Sequence, residues 1–73
     1  MNRVKINLVT MSDAIKFSSI AEKFNFAIKV KDATGNCVNA KSLMGMIYCL
    51  EFNEMWCESE EDIYSAIKEF VVE

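Results

Sequence analysis

A two-layer α+β domain is the fold class that the sequence predicts, and three observations predict it. Short runs such as "VKINL" and "FAIKVK" alternate apolar and polar residues, the period of a half-buried strand. Two longer stretches, near residues 14–24 and 63–71, repeat apolar residues at the i, i+3, i+4, i+7 spacing of one helix face. The chain is also short: 73 residues, 52% of them hydrophobic, with no proline, linker or internal repeat, form a single domain spanning residues 1–73. One four-stranded antiparallel sheet with the helices on one face, in the order β-α-β-β-α-β-α, buries both helical stripes at once.

The first strand is read from Val4, Ile6 and Leu8, which alternate against Lys5 and Asn7. After "TMSD", Ala14, Phe17, Ser18, Ala21 and Phe24 fall on one helical stripe joined by Ile20. Thr10 or Ser12 can cap this helix, and Asp13 suits its positive end. Phe26, Ile28 and Val30 mark a second strand, and "DATGN" is a turn in which Gly35 can take a positive φ. "CVNA" is then the returning strand of a hairpin.

Ser42 is placed to cap a short helix running through about Leu50. "NEMWCE" leaves room for one more strand, with Met55 and Cys57 opposite in direction to Trp56. The last helix is expected in "SEEDIYSAIKEFVV". Ser59 stands three residues before Asp62, the spacing of a capping box, and Ile63, Ala66, Ile67, Phe70 and Val71 form the buried stripe.

Composition excludes several function classes. The formal charge is −3 and no Lys/Arg stripe is visible along the chain, which argues against nucleic acid. No apolar run is long enough for a membrane span or a signal peptide, so the expected location is the cytoplasm. Cys37, Cys49 and Cys57 are an odd number without a C-x-x-C spacing and read as reduced, half-buried thiols. With no histidine to complete a ligand set, no zinc site is expected, and no cofactor is implied. Paired carboxylates for catalysis, a phosphate-cradling glycine loop and a nucleophile beside a base are all missing, so no catalytic residue is assigned and the chain is not read as an enzyme. Glu60, Glu61 and Asp62 read as acids at a helix start.

The segment "VNAKSLMGMIYCL" resembles the regulatory-serine segment of HPr, the phosphocarrier family of the bacterial phosphotransferase system. Val38, Asn39, Lys41, Ser42, Leu43, Met44, Gly45 and Ile47 fit the pattern V-N-x-K-S-[IL]-M-G-x-[ML], and "SEEDIYSAIKEF" resembles the family's last helix. The resemblance is strongest from Gly35 to Leu50 and implies an HPr-like open-faced β-sandwich. It also exposes a departure. The family relays phosphate on a histidine within G-[IL]-H-A-R-P-A, whereas this chain reads "VTMSDAIKF" there and contains no histidine at all.

Chemistry turns that departure into an expectation. A reversible relay needs a nitrogen nucleophile, and Thr10 or Ser12 would form only a stable phosphate ester. Asp13 would compete with an incoming phosphate for the helix N-terminus. The resemblance implies two further roles. Ser42 is a candidate for regulatory phosphorylation by an HPr-type serine kinase, beside its plain role as a helix cap. Leu43, Met44 and Ile47 are candidate contacts for a protein partner, among them phosphotransferase-system components, beside the alternative that they only pack against neighbouring loops. The leading reading is a non-enzymatic regulatory or protein-binding module. The alternatives are a small self-associating protein, a homodimer through the apolar helix, and a phosphocarrier using another residue.

Overall fold

The structure is a computed structural model that describes residues 2–72. Its strands are β1 (Asn2–Ile6), β2 (Ile28–Asp32), β3 (Cys37–Asn39) and β4 (Met55–Ser59), and its helices are α1 (Met11–Glu22), α2 (Leu43–Tyr48) and α3 (Tyr64–Ile67). A single 3-10 turn extends α2 over Cys49–Glu51, and another extends α3 over Lys68–Phe70. The four strands form one antiparallel sheet in the order β1-β4-β2-β3, so the last strand of the chain lies between the first two. This is the expected α+β, open-faced arrangement.

Alternation in the strands separates two faces. Ile6, Ile28, Val30, Met55 and Cys57 point inward and are buried. Ala14, Phe17 and Ala21 of α1 meet them from the helical layer, with Ile63, Ile67 and Phe70 from the chain's end. Phe17 is wholly buried and packs edge-to-face on Phe70 at 5.5 Å, joining the first helix to the last turn of the chain. The stripe read from α1 is therefore the packed one. Its last member, Phe24, lies just beyond the helix, half-buried, with its ring 5.3 Å from that of Phe26. Phe26 itself precedes β2 instead of belonging to it.

The hairpin turn follows its chemistry. Gly35 has φ +100, and the Asp32 carboxylate accepts from the amides of Thr34 and Asn36 to hold the turn. The first helix is capped by Thr10, not Ser12. The Thr10 hydroxyl accepts from the Asp13 amide, and the Asp13 carboxylate accepts from the Thr10 amide, a reciprocal capping box.

The last helix departs from expectation. It is one turn long, and Ser59 does not cap it, because Ser59 is the final residue of β4, paired with Asn2 on one side and Ile28 on the other. The Ser59 hydroxyl donates instead to the Glu61 carbonyl at 2.7 Å. Asp62 performs the local capping, accepting from the Tyr64 amide at 2.9 Å. Ala66 does not join the stripe and is exposed, while Ile63, Ile67 and, on the 3-10 turn that follows, Phe70 are buried.

Candidate functional site

The segment Val38–Ile47 is built by its own side chains. The Ser42 hydroxyl accepts from the Gly45 amide at 3.2 Å, so Ser42 is the N-cap of α2, and the hydroxyl sits at the surface. Asn39 Oδ1 accepts from the Lys41 amide at 2.9 Å, turning the chain out of β3. Lys41 Nζ donates to the Phe24 carbonyl at 2.6 Å, tying the start of α2 to the loop that ends α1. A Cβ on Gly45 would lie 3.3 Å from the Asn39 carbonyl oxygen and 3.3 Å from Val38 Cβ, so the residue's smallness lets α2 rest on β3. Val38, Asn39, Lys41, Ser42 and Gly45 thus each have a structural task in the same corner.

The apolar helix after Ser42 divides by face. Met46 and Cys49 are in the core, whereas Leu43 is 45% exposed, Met44 83% and Ile47 36%. All three candidate contact residues therefore reach solvent. Their reach is extended by residues that sequence reasoning passed over: Tyr48 on α2, and Val9, Met11 and Ile15 at the start of α1, are exposed too. Only the packing of α1 beside α2 relates them, and that packing is not written in any local pattern.

The start of α1, where the resemblance looks for a relay residue, holds an internal anion. Asp13 Oδ2 accepts from the Val9 amide at 3.0 Å and from the Thr10 amide at 3.2 Å. These backbone bonds, Val9's first, hold the carboxyl below its ordinary pKa. A carboxylate thus already occupies the two amides that lead into α1, and its charge opposes an incoming phosphate.

The thiols sort by depth rather than lying half-buried alike: Cys37 is exposed on the edge strand, and Cys49 and Cys57 are fully buried. Among the described residues no group of three or more His, Cys, Asp or Glu side chains is arranged to hold a metal ion. No helix among them is long and apolar enough to cross a membrane.

The open face of the sheet gathers cations that look scattered in the sequence. Register places Arg3 and Lys29 on either side of Glu58, and Lys5 and Lys31 on either side of Trp56. Glu58 lies 3.1 Å from Lys31 and 3.7 Å from Arg3, Lys5 pairs with Glu54 at 2.7 Å, and Arg3 lies 4.8 Å above the Trp56 ring. The strand order, unknown from sequence, creates this cluster, and the acids of β4 and its flanks offset it from within.

These features define an open-faced β-sandwich with three helices on one face and an apolar corner around a capped serine. A solved structure with this fold, titled HPr-C-His, from Thermoanaerobacter tengcongensis, is 32% identical in sequence and superposes with a TM-score of 0.70; the match covers 93% of this chain and 84% of that one. The chain belongs to the HPr family. No family profile matches the chain, and no curated protein does.

Proposed function

We propose that this chain is an HPr-family member that has given up phosphate relay and acts as a cytoplasmic, non-enzymatic regulatory or protein-binding module. The observation that carries the reading is the exposed apolar face of α2 beside a helix start with no histidine, where the Asp13 carboxylate engages the Val9 and Thr10 amides. An apolar side chain as exposed as Met44, at 83%, gains free energy only when a partner covers it. Leu43, Met44 and Ile47 form the contact surface, and thioether and branched chains suit an adaptable one.

Ser42 is the proposed regulatory position. Its hydroxyl is exposed at the first turn of α2, so a kinase can reach it. A phosphate there would meet the helix's unpaired amides rather than disrupt them.

Two assays test the reading. Incubated with enzyme I and phosphoenolpyruvate, the protein is expected to take up no acid-labile phosphate, and stoichiometric uptake would defeat the proposal. With an HPr-type serine kinase and ATP, Ser42 is expected to be labelled while Ser12 and Ser59 are not. Ser42→Ala should abolish labelling and cost about 1 kcal/mol of stability, whereas Ser42→Asp should keep the cap. Loss of stability without any labelling of the wild-type protein would reduce Ser42 to a cap.

A further inference from the structure

The charges around the apolar face restrict what can cover it. Each residue advances about 100° around a helix, so Met11, Ile15 and Glu22 share one side of α1. The opposite side is fixed by Lys16, paired with Glu69 at 2.9 Å, and by Phe17 against Phe70. Met11, Ile15 and Glu22 therefore flank α2, which packs along α1 with its start held at Phe24 by Lys41. Leu43 and Met44 lie toward the Glu22 end, and Ile47 and Tyr48 toward Ile15 and Met11.

Every free charge at the edge of this face is negative. Glu22 at one end and Glu51 at the other are exposed, and among the described residues neither makes an ion pair. The nearest cations are occupied or turned away. Lys41 is half-buried on the Phe24 carbonyl, Lys16 is paired with Glu69, and Lys23 projects about a quarter turn from the α2 side.

We propose that the face of Leu43, Met44, Ile47, Met11 and Ile15 receives a partner protein whose apolar contact surface is edged by lysine or arginine. The inference rests on the docking role given to α2 above and adds the partner's chemistry. A second copy of this chain does not fit. A two-fold contact sets the same patch against itself, so acid edges would face acid edges with no cation between them. Nucleic acid and anionic lipid are repelled for the same reason.

The test uses two synthetic amphipathic helices that share one Leu/Met stripe, one flanked by lysines and the other by glutamates. Each is titrated into isotopically labelled protein and followed by amide shifts. The lysine-flanked peptide should shift residues 43–48 and 11–15, and the glutamate-flanked peptide should bind at least about fivefold more weakly. Changing Glu22→Lys together with Glu51→Lys should abolish or reverse the preference. The control pair Glu60→Lys with Glu61→Lys, equal in net charge but on the loop after β4, should preserve it.

Equal binding of the two peptides, binding by neither, or an equal effect of the control pair would overturn the inference. Shifts confined to other residues, or unchanged affinity in Met44→Asp, would instead defeat the docking role itself. A free protein that sediments as a dimer, and as a monomer once Met44→Asp is introduced, would assign the face to a second copy.

Discussion

Asp13 and Asp32 connect single side-chain contacts to a pH dependence. Asp13 accepts from the Val9 and Thr10 amides, and Asp32 from Asn36 and Thr34, and both carboxyls are held below the ordinary value of 3.8. A folded-state pKa depressed in this way contributes stability that is complete above the unfolded value and disappears as pH falls through the folded one. Stability measured by urea unfolding should therefore be flat through neutrality and begin to fall as pH drops below about 4. Asp13→Asn combined with Asp32→Asn should lower the neutral plateau and flatten the acid limb, since neither amide changes charge. An acid limb as steep in the double variant as in the parent would mean that other carboxylates govern it. Screening by solvent keeps each contribution small, because both groups lie at the surface.

At the scale of elements, α2 depends on its ties to β3 and α1 more than on its own six residues, which are too few to be helical alone. Lys41 makes one of these ties through a half-buried bond to the Phe24 carbonyl. Lys41→Met keeps the aliphatic stem but leaves that carbonyl without the ammonium, and should cost about 1.5–3 kcal/mol, the range for a hydrogen bond to a charged group. Lys23→Met, an exposed change at the end of α1, should stay within about 0.5 kcal/mol. Chemical denaturation of the two variants side by side checks this, and equal effects would remove Lys41's structural role.

This corner also shows what the sequence made legible. The Ser42 cap, the positive φ of Gly35 and the α1 stripe follow from spacing and residue type, because they concern neighbours along the chain. Lys41's bond to Phe24 spans 17 residues and leaves no local mark. The Ser59–Asp62 spacing misled for a related reason: the same letters spell a capping box and the end of a strand. What decides between them is that β4 is central and pairs through Ser59 on both sides. The candidate site was legible only in its α2 half. Met11 and Ile15 join it through packing between elements, and the cations around Trp56 and Glu58 meet only because β4 lies between β1 and β2.

For the whole molecule, the three thiols report whether the chain opens as one unit. Cys57 sits on the inner side of the central strand, and Cys49 is buried beneath α2, its Sγ donating to the Met46 carbonyl at 3.0 Å. Burial pushes the Cys49 thiol up to about 11 and, with Glu58 adding a neighbouring charge, the Cys57 thiol up to about 12. Neither supplies a reactive thiolate while the fold is closed. Cys37 faces solvent on the edge strand. In mildly alkaline buffer a maleimide should therefore add once, quickly, at Cys37. The second and third adducts should then appear together, at a rate set by opening of the whole domain. Mild urea should accelerate both late adducts in proportion to the loss of global stability. Simultaneous late labelling is the outcome that a single core predicts, since Met46 and Cys49 share it with Ile28, Val30 and Cys57. Labelling of Cys49 well ahead of Cys57 would overturn it, showing that α2 lifts from β3 and α1 while the sheet stays closed. In that case Met44 and Ile47 would present themselves to a partner from a detached segment, not from a rigid face.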